Sequence, residues 1–217
     1  MTTDHGKLMT CGVDEAGRGP VIGPMVVSIV CGNPDELRTI GARDSKALSP
    51  QSREKLYEKI IDISQFHSIT IITASELNSL MDSINLNRIE EEAYSGLIAK
   101  SPMDCDYYVD SFDVDENRLS ELLSENTGKR VICRHKADAL FPAVSAASIL
   151  SKVTRDREIE KLQKAYGDLG SGYPADPVTR EFIITALRQG KDITGIIRTH
   201  WKTYRDLLSE SRKTTLF

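Results

Sequence analysis

The chain has 217 residues, of which 40% are hydrophobic and 28% charged, and a formal net charge of −4. That length supports one well-buried core, or one core with a small appendage. No apolar run approaches the roughly 18 residues of a membrane span, and the N-terminal MTTDHGKLM lacks the apolar stretch of a secretory signal, so a membrane protein is excluded and a soluble, cytoplasmic one is expected.

Net acidity argues against a polyanionic partner, yet the charge is uneven. Residues 180–217 hold eight Lys or Arg and four acids, a balance of +4, which leaves −8 for residues 1–179. A basic C-terminal segment beside an acidic body suits a polyanion held by one part and processed by another; it equally suits a solvated helix face of mixed charge. The four cysteines, Cys11, Cys31, Cys105 and Cys133, lie far apart with no C-x-x-C pair. They read as small apolar fillers in a reducing compartment, not as zinc ligands or a disulfide framework.

In chain order, LMTCGV (8–13) and VIGPMVVSIV (21–30) read as strands flanking a turn, and SITIITA (68–74) as a third. DYYVDSF (106–112) and KRVICRH (129–135) read as a fourth and fifth. Helical patterns cover residues 52–62, roughly 75–100, 115–125 and about 142–166; in the last, Ala146, Leu150 and Val153, then Ile159, Leu162 and Tyr166, recur at helical spacing. Early strands followed by alternating helix and strand predict a mixed α/β sheet. After SGYPADP the chain turns helical and basic, so a boundary is expected near 174–177, dividing residues 1–175 from 176–217.

The turn GVDEAGRGPVIGP (12–24) sets two adjacent acids and an arginine among glycines and prolines. A dinucleotide fingerprint would need G-x-G-x-x-G opening a helix, whereas Gly17-Arg18-Gly19 runs into Pro20 and a β-branched segment. Asp14 ends the first strand, Asp110 ends the fourth, and Asp138 follows the fifth. Strand ends in an α/β sheet can converge on one edge, and carboxylates gathered there tolerate ionisation only beside a cation. Oxygen ligands without Cys or His favour Mg²⁺ or Mn²⁺ and suit two-metal phosphoryl chemistry. Each acid has a plainer use as well: Asp138 could cap a helix beginning near Leu140, and Asp110 could make a side-chain turn with Ser111. Asp14 and Glu15 would point to opposite faces of a regular strand, so a shared site requires the strand to twist or end there. DSFDVD fails as an EF-hand loop, because no glycine stands at its sixth position.

Five blocks, GVDEAGRGPVIGP, RDSKALS (43–49), YVDSF (108–112), HKADALFPAVSAASILSKVTRD (135–156) and GSGYPADP (170–177), together resemble ribonuclease HII, the type 2 ribonuclease H, in its archaeal single-chain form. The resemblance spans most of residues 10–177. It implies a ribonuclease H-like mixed sheet flanked by helices, with a small helical C-terminal addition. It implies cleavage of the RNA strand of RNA/DNA hybrids and of single ribonucleotides in duplex DNA, leaving 3′-hydroxyl and 5′-phosphate ends. The family's four catalytic carboxylates fall on Asp14, Glu15, Asp110 and Asp138, which would bind two divalent ions, Mg²⁺ or Mn²⁺.

By the same resemblance, Gly17 and Gly19 would bring backbone groups to the 2′-hydroxyl that marks RNA, and Arg18 would meet a phosphate. Tyr173 would pack on the sugar 3′ of the ribonucleotide, although a ring between flexible residues and a proline is otherwise a surface turn aromatic. Lys46 and Lys152 would contact phosphate or organise the acids; otherwise they are ordinary solvated lysines. Trp201, the single tryptophan, is expected to anchor a C-terminal helix to the main domain in preference to stacking on a base. No histidine is needed as general base, since a divalent ion lowers the pKa of the water it holds. The last residues, SRKTTLF, resemble the start of the motif by which some archaeal members hold the sliding clamp, with Lys213 where a glutamine is usual and Leu216 fitting. A monomer is expected. Two rivals remain: a ribonuclease H-like nuclease acting on DNA, and a hybrid-binding module without chemistry.

Overall fold

A computed structural model of the chain describes residues 9–41 and 49–213. Lys46, with most of RDSKALS, and residues 214–217 of the tail lie outside the described residues.

All five expected strands form: β1 Thr10–Ala16, β2 Met25–Gly32, β3 Phe66–Ile72, β4 Asp106–Asp110 and β5 Val131–Arg134. They make one sheet of order β3-β2-β1-β4-β5. The pairs β1/β4 and β4/β5 are parallel, with Val13 opposite Val109 and Val109 opposite Cys133. β2 starts later than its apolar run. Gly23 adopts φ +86° and Pro24 has no N–H to give a ladder, so residues 21–22 leave the sheet and Ile22 pairs with Ile197 in an isolated bridge.

The helices are α1 Pro34–Thr39, α2 Pro50–Ile63, α3 Ala74–Met81, α4 Leu86–Lys100, α5 Glu116–Thr127, α6 Ala137–Leu140, α7 Pro142–Tyr166, α8 Pro177–Arg188 and α9 Lys202–Lys213. Most begin at a side chain that accepts orphan amides: Asn33, Ser49, Thr73, Asp115 and Asp176. The single helix expected over 75–100 is two helices. Thr73 and Glu76 form a capping box that starts α3, and Asn85 accepts the Arg88 N–H at 3.0 Å to start α4 afresh. No described helix is long and apolar enough to cross a membrane.

The described residues form two compact units, 9–16, 27–70 and 90–153 in the first, and 17–26, 71–89 and 154–213 in the second. In the first, the sheet carries helices on both faces. Cys11, Val13, Val27, Ile29 and Tyr107 pack against Tyr94, Leu97 and Ile98 of α4 and Leu119 and Leu123 of α5. Val30 packs with Leu56 and Ile60 of α2 and with Ala143, Ala146, Ala147 and Leu150 of α7. With both faces covered, β2 is buried along its whole length, which is why its sequence is a nearly continuous apolar run. Its one polar side chain, Ser28, donates to the Ala147 carbonyl at 2.6 Å. The second unit has its own core, in which Val21 and Ile22 meet Ile159 of α7, Ile183 of α8, Ile196, Ile197 and Leu207 of α9.

The cysteines depart from expectation. Cys11 and Cys31 are joined in a disulfide, because β1 and β2 are sheet neighbours and set the two side chains together across 20 residues of sequence. Cys133 behaves as the expected apolar filler, its thiol pushed up to about 12 by burial.

At Gly12 the backbone of β1 runs directly against α7. A Cβ there would stand 2.1 Å from both Ala143 C and Val144 N, which are main-chain atoms that cannot swing aside. Gly12→Ala is therefore expected to destabilise the fold by about 3 kcal/mol, at the upper end for overpacking, read as a lower denaturant midpoint at unchanged slope.

Candidate active site

β1 alternates regularly, and this sorts its acids. Cys11 and Val13 face α4 and α5, and Glu15 follows them: Tyr94 of α4 donates its hydroxyl hydrogen to Glu15 Oε2. Gly12 faces α7, and Asp14 follows it, its carboxyl hydrogen-bonded by Ser148 of α7. Since Val13 pairs with Val109, the next rung sets Asp14 beside Asp110. Asp14 is only 5% exposed. Its carboxyl is held well above the usual carboxylate range, first by burial and then by repulsion from Glu15 and Asp110, against which Ser148 and the Glu15 N–H (2.8 Å) work. Tyr94 is also raised, by burial and then by Glu15 and Asp14, so at neutral pH it retains the proton it donates.

Asp110 has a further task. Its Oδ1 accepts the Ala137 N–H at 2.8 Å, and so fixes the start of α6. The chain reaches that point through Lys136, which is left-handed at φ 58°, a conformation costing a non-glycine residue about 1–2 kcal/mol. The next residue after Ala137 is Asp138, in the first turn of α6. The expected cap of a helix near Leu140 is thus corrected: the helix starts earlier, and the cap position is Lys136, with no side-chain cap bond. Glu15 and Asp110 both act electrostatically on Asp14, and Asp138 rides on the helix that Asp110 caps. Among the described residues, however, no three His, Cys, Asp or Glu groups gather at the spacing that holds a metal ion. Lys152 stands half-buried on α7, four residues past Ser148.

Of the residues expected to bind substrate, Gly17, Arg18, Gly19 and Tyr173 belong to the second unit, and Lys152 to the first. Gly17 has φ +86°, and a Cβ on it would stand 2.5 Å from Arg155 Cδ and 2.7 Å from the Pro24 carbonyl oxygen. Gly19 is exposed, and its missing Cβ would lie 3.8 Å from Tyr173 Cε1. The turn and the Tyr173 ring are therefore neighbours. Tyr173, 44% exposed, lies under the guanidinium of buried Arg155, 5.3 Å from the ring centroid. GSGYPADP is tied down by Asp176, whose carboxyl accepts from Ser171 N (2.7 Å) and Oγ (2.6 Å) and is lowered to about 2 by those bonds. Gly172 O takes the amides of Val21 (2.8 Å) and Ile22 (3.2 Å). Arg18 donates to Asn87 Oδ1 at 2.6 Å. Trp201 donates its indole N–H to the Gly19 carbonyl at 3.1 Å. A pocket of about 490 Å³ opens between α8 and the flanking residues Tyr166 and Lys191, and contains none of the predicted site residues.

Sequence reasoning missed Tyr94, Ser148 and Arg155. Ser148 and Arg155 lie inside the block HKADALFPAVSAASILSKVTRD, but nothing in their spacing marks them. Tyr94 follows the buried Glu90 by one helical turn, and that pairing of an acid and a phenol on an otherwise apolar face was the available signal.

Asp14 makes the fold pH-sensitive in a stated direction. Its folded-state pKa is raised, so the folded chain holds a proton that the unfolded chain has released. Stability therefore falls as pH climbs out of the ordinary carboxylate range, until the folded group also ionises. Asp14→Asn removes that slope. The metal-free variant is expected to melt higher than the parent at pH 7–8, by roughly 2–4 °C for each kcal/mol relieved, with a smaller gap at pH 4; equal melting at both pH values would contradict it.

A family model for Ribonuclease HII matches residues 11–204. The Ribonuclease HII of Thermoplasma volcanium is 50% identical over 197 residues, 91% of this chain and 92% of its own. The crystal structure of ribonuclease H2 from Pyrococcus horikoshii superposes with a TM-score of 0.89 at 42% identity, covering 95% of this chain and all of the other (100%). The Archaeoglobus fulgidus RNase HII, solved as a complex with PCNA, gives 0.85 at 43% identity over 90% of this chain and 96% of that one. The five-stranded sheet with helices on its faces is thus the ribonuclease H-like fold that the resemblance implied, and the chain belongs to the ribonuclease HII family of endoribonucleases.

Proposed function

We propose that the chain hydrolyses the RNA strand of RNA/DNA hybrids and incises duplex DNA on the 5′ side of a single ribonucleotide, leaving 3′-hydroxyl and 5′-phosphate ends. The observation that carries this is Asp14: a buried carboxyl repelled by two neighbouring acids, at the C-terminal end of a parallel strand. Such a group fits a cation, because a divalent ion is what makes its charged form tolerable. Asp14, Asp110 and Asp138, with Glu15, would hold two ions, Mg²⁺ or Mn²⁺ by the hardness of their oxygen donors. Bound there, the ions would supply an activated water and charge stabilisation for the leaving oxygen.

The chain's own residues do the rest. Ser148 and Tyr94 orient Asp14 and Glu15 from opposite faces of β1. Asp110 keeps Asp138 in place through the Ala137 amide. Among the described histidines, His67 bonds Ser64 (2.9 Å), His135 lies by Glu116 (3.9 Å) and His200 by Asp82 (3.2 Å). The Gly17–Gly19 backbone and the Tyr173 ring would read the 2′-hydroxyl and the next sugar, while Arg18, Lys46 and Lys152 would meet phosphates. The place of action on this proposal is the cytoplasm, and the chain acts as a monomer.

The test is cleavage of a DNA duplex carrying one ribonucleotide, in Mg²⁺ and then Mn²⁺. Incision 5′ of the ribonucleotide is expected, with an all-DNA duplex uncut. Asp110→Asn should lose about a hundredfold or more, as when a ligand to charge-stabilising metal is removed. Cutting of the all-DNA duplex would favour a DNA nuclease, and tight hybrid binding without incision would favour a binding module.

A second partner is favoured by the likeness to the Archaeoglobus enzyme, which was solved bound to PCNA. The tail SRKTTLF would take a sliding clamp. Removing residues 214–217 spares α9, where Ser211 is buried and bonds the Leu208 carbonyl at 2.9 Å. Truncation at 213 is expected to abolish co-elution with the clamp while leaving hybrid cleavage intact; unchanged co-elution would remove the tail from the contact.

A further inference from the structure

The Gly17-Arg18-Gly19 turn has two glycines and so little intrinsic reason to hold one shape. In the second unit, two side chains from residues 198–201 impose it. Arg198 is fully buried, and it carries a charge that no pH of interest removes. A buried guanidinium must be hydrogen-bonded, and the acceptors here are backbone: Nε donates to the Gly23 carbonyl at 2.9 Å and Nη1 to the Arg18 carbonyl at 3.1 Å. The guanidinium also lies over the Trp201 ring, 4.9 Å from the centroid. Trp201 in turn gives its only donor to the Gly19 carbonyl at 3.1 Å. The segment carrying both is itself registered on the turn, through Arg198 N to Val21 O (2.9 Å) and Gly23 N to Ile196 O (2.9 Å).

The direction of these bonds matters. A trans peptide points its C=O and its N–H opposite ways. With the Arg18 carbonyl drawn toward buried Arg198, the amide of Gly19 points away from it. The following peptide, whose carbonyl Trp201 holds, has Pro20 as its nitrogen and offers no N–H at all. Gly19 N–H is therefore the donor that the clamped part of the turn turns outward, on an exposed residue whose nearest side-chain neighbour, 3.8 Å from its Cβ position, is Tyr173.

We propose that Arg198 and Trp201 are positioning residues for ribonucleotide recognition: by holding the carbonyls of residues 18, 19 and 23 they aim the Gly19 amide at the ribose 2′-hydroxyl beside Tyr173. The proposal rests on the turn being the reader of the 2′-hydroxyl. Neither side chain is required to touch substrate.

The experiment is binding by the full chain, without divalent metal, of two fluorescent duplexes that differ by one 2′-hydroxyl: all-DNA, and DNA with one ribonucleotide. The quantity read is the ratio of the two affinities, for the parent, Trp201→Phe and Arg198→Lys, with melting temperature measured for each. Trp201→Phe keeps an aromatic ring under the guanidinium and loses the N–H together with part of the indole. It should lower the ratio about fivefold, the size of one misdirected hydrogen bond, while all-DNA affinity and melting temperature stay near the parent's. Arg198→Lys should lower it at least as far. A merely structural role would depress melting or both affinities together and leave the ratio alone, and that outcome overturns the proposal. If Arg198→Lys fails to fold, Trp201→Phe decides by itself. A parent that binds both duplexes equally overturns the reading of the turn and the proposal with it, which is distinguishable from a parent that discriminates and variants that do so equally well.

Discussion

Asp14 sits in a nearly dry position beside Glu15 and Asp110, and each of these raises the free energy of its charged form. Much of the first unit follows from keeping it there. The bare backbone at Gly12 lets α7 approach β1 closely enough for Ser148 to reach the Asp14 carboxyl. The regular pleat of β1 sends Glu15 to the other face, where Tyr94 gives it a donor inside an apolar cluster. Asp110, next to Asp14 on the adjoining strand, caps α6 with the same carboxyl and so sets the place of Asp138. A strained Lys136 completes that connection, and strain of this kind persists where the surroundings over-determine it.

The second unit solves a different problem with different groups. On the proposed function the backbone is what must be presented here, and the two glycines of the turn have no side chains to anchor it. The anchors come from outside: Arg155 beneath Gly17, Gly172 on the amides of Val21 and Ile22, Arg198 and Trp201 on the carbonyls. The expected role of Trp201 as an anchor is consistent with this, but what it holds is a peptide of the turn. A carboxylate site is stabilised by donors and a backbone site by both donors and acceptors, and the two units differ accordingly.

The strands and the long helix α7 were legible because their signals are local: apolar period and β-branched runs; Asp14 and Asp110 were legible as acids toward strand ends. The break between α3 and α4 was missed: its signal is Asn85, which accepts the Arg88 amide at the start of α4, and one helix is expected across it from the sequence. The Cys11–Cys31 disulfide was not legible, since a separation of 20 residues says nothing about which strands lie side by side. Arg155 and Arg198 were invisible for a related reason. Their partners are an aromatic face and main-chain carbonyls, and neither leaves a residue-type pattern along the chain. Lys46 lies outside the described residues, so its expected phosphate contact remains a proposal.

Charge sets the order of events on the proposed function. A chain with a formal net charge of −4 must hold a polyanion, and its one basic stretch, residues 180–217, contributes only +4 against −8 elsewhere. Part of that deficit is concentrated in the acids around Asp14, where burial and then repulsion hold one carboxyl protonated above its usual range. A phosphate could not approach such a cluster in its metal-free form without adding to the repulsion. Two divalent ions would bring as many positive charges as the formal net charge lacks, and would place them among these acids. Cation binding and substrate binding are then positively linked, each tightening the other by the same factor. The salt dependence of binding should accordingly be steeper for the ion-loaded protein than the exposed basic residues of the C-terminal stretch alone would give.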